Sequence, residues 1–123
     1  MSREPKRLRV LLVEDDPAVR RALARLLGIE LEVTTAADAA DAVRLLAEMR
    51  FDVVVSDYQM PGRDGIWLLG EVATSYASVG RVLISGVGAE KLKQHVDSGL
   101  VQLFLQKPLG PESVAEILRA VLR

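Results

Sequence analysis

Cysteine is missing from the 123-residue chain, and histidine occurs only once, as His95. Without cysteine the protein has no disulfide, no thiolate metal ligand and no thiol nucleophile, and one histidine cannot build a histidine-rich metal site. The formal net charge is only −1, so the chain also lacks the basic field that would hold nucleic acid. No nucleic acid is therefore expected as a direct partner.

Long apolar runs are lacking as well. The charged residues 1–9 contain no apolar stretch of the kind that a secretory signal carries, and no run approaches membrane-spanning length. These absences predict a cytoplasmic protein without a membrane partner. The length fits one domain with a real core. We expect that domain to comprise residues 8–123, preceded by a partly disordered head of residues 1–7.

Two hydrophobic periods alternate along the chain. Short apolar runs predict five strands, and apolar residues spaced three and four apart predict five helices between and after them. The predicted strands are residues 8–13, 31–35, 52–56, 81–85 and 101–105. Regular alternation of strand and helix is typical of an α/β fold, with a doubly wound parallel sheet and helices on both of its faces.

Three aspartates stand immediately before predicted helices. Asp38 and Asp64 are predicted helix caps, and so is Asp16, which precedes Pro17. A third metal ligand is the alternative for Asp16, and capping is favoured. The inner face of the second helix is predicted to consist of Ala39, Ala40, Val43, Leu46 and Ala47.

Polar side chains stand at the carboxyl ends of four predicted strands. They are Glu14 and Asp15 after the first strand, Asp57 after the third, Ser85 at the fourth and Lys107 after the fifth. Ligands of open parallel sheets bind at this edge, where the strand order reverses. If the order is 2-1-3-4-5, the first and third strands are neighbours, and the acids after the first strand converge on Asp57.

Carboxylates that converge in one cleft repel one another, so a cation must hold them ionised together. Oxygen ligands without cysteine or histidine favour Mg²⁺. Lys107 would add a fixed positive charge and Ser85 a hydroxyl donor, which together could stabilise the oxygens of a transferring phosphoryl group. Asp57 is then the natural nucleophile. No G-x-x-x-x-G-K-[ST] motif is present, so the phosphoryl group must come from a phosphorylated partner or a small phosphodonor.

The sequence resembles the receiver domain of two-component response regulators. The resemblance covers essentially the whole chain and rests on four separated motifs in the right order: VLLVEDDP, VVVSDYQMPGRDG, RVLISG and FLQKPL. It implies a flavodoxin-like (βα)5 fold with a five-stranded parallel sheet in the order 2-1-3-4-5.

The resemblance also implies the role of each acidic residue. Glu14 and Asp15 would be the acidic pair that binds Mg²⁺, and Asp57 would be both a metal ligand and the phosphoacceptor. Gln59 would contribute its backbone carbonyl to the metal.

Further residues follow from the same resemblance. Ser85 and Lys107 would contact the phosphoryl group, and Ser85 and Phe104 would form the conformational switch. The family commonly has threonine in place of Ser85 and often tyrosine in place of Phe104, so the switch would depend on ring packing alone. The bond between Lys107 and Pro108 is expected to be cis. Glycines 86 and 88 predict a mobile loop after the fourth strand.

A receiver of this kind is expected to accept its phosphoryl group from a histidine kinase or a phosphotransfer protein. It would signal through a downstream effector domain or protein. We expect a signalling switch and not an enzyme, although such a domain promotes its own phosphotransfer and dephosphorylation. A weak homodimer is left open. A free-standing regulator and a fragment of a larger regulator or hybrid kinase are equally open.

Two other functions share this fold. A flavin-binding electron carrier would need a loop rich in Ser, Thr and Gly after the first strand, where this chain has acids. A pseudo-receiver, which docks without being phosphorylated, is the main alternative. Trp67 has two interpretations, an indole lying flat over aliphatic neighbours or a partner contact. Gly62 and Gly65 are expected to serve turn geometry.

Overall fold

The protein is described by a computed structural model over residues 7–86 and 88–121. Within these residues, five strands alternate with five α-helices. In chain order they are β1 (Arg9–Val13), α1 (Pro17–Leu27), β2 (Glu32–Ala36), α2 (Ala39–Glu48), β3 (Val53–Asp57), α3 (Gly65–Ser75), β4 (Gly80–Ser85), α4 (Lys93–Asp97), β5 (Leu103–Gln106) and α5 (Pro111–Val121). A 3₁₀ turn at Ala89–Leu92 leads into α4.

The strands form one parallel sheet in the order β2-β1-β3-β4-β5, which confirms the predicted fold class. In the centre of the sheet β1 pairs with β3 up to the pair Val13 and Ser56. On its other side β3 pairs with β4 up to Asp57 and Ile84. The carboxyl ends of β1, β3 and β4 therefore meet at one edge of the sheet, where the predicted polar residues stand.

Two apolar clusters fill the two faces of the sheet. Because side chains alternate along a strand, neighbouring residues of β1 enter different clusters. Leu11 packs on the face covered by α2 and α3, while Leu12 packs on the face covered by α1 and α5. Both side chains are fully buried. Burial on both faces explains why the central strands are apolar throughout.

The three predicted caps are confirmed. The Asp16 carboxylate accepts hydrogen bonds from the backbone N–H groups of Ala18 (2.9 Å) and Val19 (3.2 Å) at the start of α1. Asp38 caps α2 through the N–H of Asp41 at 2.8 Å. Asp64 caps α3 in the same way, through the N–H of Trp67, also at 2.8 Å. These acids fix where each helix begins after its loop.

The predicted inner face of α2 is partly wrong. Ala39 and Leu46 are buried as expected, and so is Ala42, which the prediction omitted. Val43 is 40% exposed, and Ala40 and Ala47 are exposed as well. Alanines occur on several sides of this helix, so the apolar pattern fits two faces. The observed face follows the larger side chains of Leu45, Leu46 and Met49, which pack on the sheet.

Three further expectations concern the N-terminal head, the loop after β4 and the helix that follows this loop. The predicted disordered head lies outside the described residues except for Arg7, whose guanidinium donates to the Gly28 carbonyl at 3.3 Å. The predicted mobile loop includes position 87, which also lies outside them, so its mobility stays a prediction. The single helix predicted between the fourth and fifth strands is divided into the 3₁₀ turn and the five-residue α4.

Candidate functional site

Three carboxylates meet at the carboxyl edge of the sheet. Glu14 directly follows β1, and its N–H donates to the Ala36 carbonyl at 3.1 Å, which continues the β1–β2 pairing past the strand end. Asp57 is the last residue of β3. One carboxylate oxygen from each of Glu14, Asp15 and Asp57 lies within 4.8 Å of the others. The convergence expected from the strand order is therefore present.

Lys107, which follows β5, contacts this acidic group. Its backbone N–H donates to the Ser85 carbonyl at 2.9 Å, which extends the β4–β5 pairing. Its ammonium is 2.7 Å from Glu14 Oε1 and 3.4 Å from Asp57 Oδ1. The peptide bond to Pro108 is cis, as predicted. One cation thus contacts two buried acids that come from two other strands.

Burial governs the electrostatics of the site. Glu14 is 1% exposed and Asp57 is 7% exposed. Burial, and then the charge of Glu14, raise the pKa of Asp57, while the Lys107 charge and hydrogen bonds to Lys107 and Tyr58 counteract part of that rise. Burial lowers the pKa of Lys107, but its contacts with Glu14 and Asp57 outweigh burial and raise the pKa overall. Lys107 therefore stays charged, and the acids still carry more negative charge than it neutralises.

The remaining predicted residues lie around this centre. Ser85 is the buried last residue of β4, one position beyond Ile84, which pairs with Asp57. Gln59 is exposed in the loop after β3. Gln59 is near Asp57 in the chain, and Ser85 is near it on the adjacent strand. The role of the Ser85 hydroxyl and that of the Gln59 carbonyl stay predictions.

The loop between β3 and α3 is held tightly against Asp57. Tyr58 N–H donates to the Ile84 carbonyl at 2.9 Å, and Gly65 N–H donates to the Tyr58 carbonyl at 2.8 Å. A methyl group on Gly65 would overlap the Asp57 carbonyl oxygen and lie 2.9 Å from Leu83 Cδ1. Gly65 is therefore required for close packing of α3 on β3. The expected turn geometry applies instead to Gly62, whose φ is +80°.

Arg20 also reaches the site, and sequence reasoning missed it. Its Nη1 donates to the backbone carbonyl of Glu14 at 2.9 Å and to that of Asp15 at 3.3 Å. An arginine in the second turn of an amphipathic helix looks like any solvated surface residue in the sequence. Only the path of the β1–α1 loop brings these carbonyls within its reach.

Two aromatic residues, Phe104 and Trp67, pack against the apolar cluster under α2 and α3. Phe104 is half-buried in β5, pairs with Leu83 of β4 and packs against the cluster under α2 and α3. Trp67 is half-buried and packs against the same cluster, and the Arg63 guanidinium lies 4.9 Å from the centre of its ring. The packing interpretation of Trp67 is therefore confirmed, and a partner contact stays a prediction.

An apolar groove of about 680 Å³ opens beside Lys107. It lies between α1 and the segment that follows β5. Its lining residues are Ala18, Val19, Ala22, Leu23, Leu26, Lys107, Pro108 and Leu109. Lys107 thus connects the acidic centre with an apolar surface that is large enough for several side chains of another protein.

The acidic group fits a magnesium ion by its donor chemistry. The donors are carboxylate oxygens without nitrogen or sulfur, which suits a hard divalent cation. Two of the three acids are buried, and burial together with the charge of Glu14 raises the pKa of Asp57 in spite of Lys107. Glu14, Asp15 and Asp57 are the residues that would hold the ion.

Among the described residues, no helix combines the length and hydrophobicity needed to cross a bilayer.

Comparison with known proteins gives a consistent result. The family model of the response regulator receiver domain matches residues 10–119. The response regulator protein FleR of Pseudomonas aeruginosa is 38% identical over 107 residues, which cover 82% of this chain and 23% of FleR. The C4-dicarboxylate transport transcriptional regulatory protein DctD of the same species is 35% identical over 114 residues, covering 92% of this chain and 25% of DctD. The chain spans about a quarter of the length of these curated relatives.

Solved structures agree with the sequence comparison. The signal receiver domain of an HD domain-containing protein from Pseudomonas fluorescens Pf-5 superposes with a TM-score of 0.85 at 28% identity, covering 99% of this chain and 91% of that one. Chemotaxis response regulator CheY4 of Vibrio cholerae gives a TM-score of 0.82 at 27% identity, covering 94% and 99% of the two chains. The whole described fold is therefore similar to that of receiver domains.

Proposed function

The chain belongs to the response regulator receiver domain family, and from this premise we propose that Asp57 accepts a phosphoryl group and that the domain signals by changing conformation. The observation that carries the proposal is the meeting of Glu14, Asp15 and Asp57 within 4.8 Å. Lys107 contacts two of these three acids. A buried acid of this kind, beside a charged lysine, has the composition of a phosphoryl-transfer site.

The proposed donor is a phosphohistidine of a histidine kinase or a phosphotransfer protein. A carboxylate oxygen of Asp57 attacks the phosphorus, so that an O–P bond forms while the N–P bond breaks. The imidazole nitrogen leaves with the bonding electron pair and then takes a proton from solvent. Water later attacks the resulting acyl phosphate and returns the carboxylate and inorganic phosphate.

The residues around Asp57 divide this work. Glu14, Asp15, Asp57 and the Gln59 carbonyl would hold Mg²⁺, which, when bound, neutralises charge on the carboxylates and on the phosphoryl oxygens. Lys107 is already positioned 3.4 Å from Asp57 Oδ1 and would bind a phosphoryl oxygen.

The proposed switch consists of Ser85 and Phe104. Ser85 would move its hydroxyl toward the phosphoryl group, and Phe104 would repack against the core in response. The phosphoryl contacts can shift this equilibrium only by the difference in their energy between the two arrangements. Phe104 has no hydroxyl, so the repacked state would depend on the burial of its ring.

The apolar groove beside Lys107 supports a protein as the phosphodonor. Its walls from α1 and from Pro108 and Leu109 would contact apolar side chains around the partner's phosphohistidine. Output would pass to a downstream effector domain or protein, since relatives such as DctD are about four times longer than the matched segment. A weak homodimer would be a further route for the signal.

Phosphorylation can be tested directly. The protein is incubated with Mg²⁺ and a small phosphodonor, and also with a phosphorylated histidine kinase, and the covalent phosphate is counted by intact mass. We expect one phosphate on the wild type and none on Asp57→Asn. Asp97→Asn is the matched control, because Asp97 is an exposed aspartate that pairs with Lys93 on α4.

Equal labelling of the wild type and Asp57→Asn would contradict the assignment of Asp57. Absence of labelling from every donor, with kinase binding retained, would favour the pseudo-receiver that docks without phosphorylation.

A further inference from the structure

Arg20 contacts the backbone of both residues of the acidic pair. Its Nη1 donates to the Glu14 carbonyl at 2.9 Å and to the Asp15 carbonyl at 3.3 Å. Within the described part of the chain it forms no ion pair with either carboxylate. The guanidinium therefore contacts the main chain of the loop and not the acid side chains.

The two acids differ in how their side chains are held. Glu14 Oε1 accepts from Lys107 at 2.7 Å, and Glu14 Oε2 accepts from the Asp16 N–H at 3.1 Å. No hydrogen bond to the Asp15 carboxylate occurs among the residues that the structure describes. The position of that carboxylate next to Glu14 and Asp57 therefore depends on the backbone that carries it.

That backbone is a short link between a strand and a helix. It runs from the end of β1 at Val13 to Asp16, which caps α1. Arg20 lies one turn further along α1, so its guanidinium reaches back over the cap and ties the link to the helix. The acid pair is thereby fixed from the helix side as well as from the sheet.

We propose that Arg20 is a positioning residue, which holds the backbone of Glu14 and Asp15 so that the Asp15 carboxylate faces a divalent cation bound beside Asp57. This inference rests on the proposed function of the site. Its direct consequence concerns metal affinity, since residues that orient metal ligands commonly change affinity by about tenfold or more when they are lost.

The charge of Arg20 acts in the opposite direction. A guanidinium near the site repels a cation, so removal of its charge alone would strengthen Mg²⁺ binding. Arg21 provides the matched control, because it is the next residue of α1 and is exposed. Arg20→Met and Arg21→Met each remove one positive charge and keep a good helix former. Arg20→Lys keeps the charge and one donor group, but its shorter side chain does not place an ammonium where Nη1 donates to both carbonyls.

The test is calorimetric titration of each protein with MgCl₂. We expect Arg20→Met to bind Mg²⁺ about tenfold more weakly than Arg21→Met, and Arg20→Lys to lie between the wild type and Arg20→Met. In labelling with a small phosphodonor, the Mg²⁺ concentration for half-maximal rate should rise by about the same factor. The maximal rate should stay near that of the wild type, because Arg20 does not touch the phosphoryl group.

The outcomes separate this inference from the proposed function. If the wild type binds no Mg²⁺ and takes no phosphate, the proposed function fails. If the wild type binds and is labelled while Arg20→Met and Arg21→Met have equal affinities, the positioning role is overturned and the proposed function stands. Should Arg20→Met not fold, Arg20→Gln and Arg21→Gln are compared in the same way, and equal affinities of these two variants overturn the positioning role.

Discussion

Lys107 lies closer to Glu14 than to Asp57, with its ammonium 2.7 Å from Glu14 Oε1 and 3.4 Å from Asp57 Oδ1. Glu14 is the more deeply buried of the two acids, at 1% exposure. The lysine therefore neutralises a charge that has almost no access to water and is only a secondary partner of Asp57. In the proposed function, a cation bound among the acids would release part of this lysine charge for the phosphoryl group.

Loss of the lysine should consequently destabilise the metal-free protein. Lys107→Met leaves Glu14 buried beside Asp57 without a cation, and breaking a buried pair on one side costs up to about 3 to 5 kcal/mol. Lys107 is itself 26% exposed and partly screened by solvent, so we expect a smaller cost than that, about 2 kcal/mol. Urea unfolding in EDTA measures the difference.

Magnesium should restore much of the lost stability, because it supplies the missing positive charge. The stabilisation by Mg²⁺ should thus be larger for Lys107→Met than for the wild type. Lys93→Met is the control, since its ammonium pairs with Asp97 on the exposed surface. An equal effect of both substitutions in EDTA would contradict the role given to Lys107.

Removal of the Asp57 charge should have the opposite effect on stability. Burial and the Glu14 charge raise the pKa of Asp57, so the folded protein disfavours the ionised carboxylate that neutral pH imposes. Asp57→Asn keeps the shape and removes the charge. In EDTA at neutral pH we expect it to raise the free energy of unfolding by on the order of 1 kcal/mol.

In Mg²⁺ the ranking should reverse, because the asparagine variant loses a metal ligand. Thermal unfolding of both proteins in EDTA and in MgCl₂ provides the measurement. An Asp57→Asn protein less stable than the wild type in EDTA would show that the buried Asp57 charge does not destabilise the metal-free fold.

Much of the fold was predictable because its signals are local. Strands buried on both faces are short and apolar, and apolar residues recur every three to four positions in the helices. Asp16 stands immediately before the first helix, in the N-cap position. The strand order came from the resemblance to a family, and the meeting of Glu14 and Asp57 follows from that order. Alanine carries little directional information, which is why the face of α2 was partly wrong.

The missing parts depend on how closely particular side chains and backbone groups approach one another once the chain is folded. Gly65 matters because α3 approaches the Asp57 carbonyl, and Arg20 matters because a loop turns its carbonyls toward α1. Neither residue type nor spacing reveals such an approach. The burial of Arg81 was not predictable either, because in the sequence it is simply the polar first residue of a largely apolar strand.

Gly65 should tolerate no side chain. Gly65→Ala would force a methyl group against the Asp57 carbonyl and against Leu83, and such overpacking costs about 1 to 3 kcal/mol. It should also displace Asp57 and slow phosphorylation. Gly70→Ala is the control in the same helix, because a methyl group there meets nothing within 4 Å and should stabilise by roughly 0.5 to 1 kcal/mol. Similar unfolding free energies for the two variants would contradict the close approach.

Arg81 should be a large contributor to the stability of the segment between α4 and β5. It is 9% exposed, and its guanidinium donates to the carbonyls of Leu100 (2.9 Å), Gly99 (3.2 Å) and Val79 (3.3 Å). Arg81→Met fills similar space but leaves these acceptors without their donor, at about 1 to 3 kcal/mol.

The loss should be concentrated in that segment, because the backbone pairing of Arg81 with Gln102 survives the substitution. Hydrogen exchange of the amides of residues 98–102 should accelerate in Arg81→Met while those of β1 and β3 keep their relative protection. Arg119→Met, an exposed change on α5, should alter neither stability nor exchange by a comparable amount. Uniform acceleration throughout the sheet would mean that Arg81 stabilises the whole domain and not this segment. Protection unchanged at residues 98–102 would show that its hydrogen bonds to Gly99 and Leu100 do not hold the segment in place.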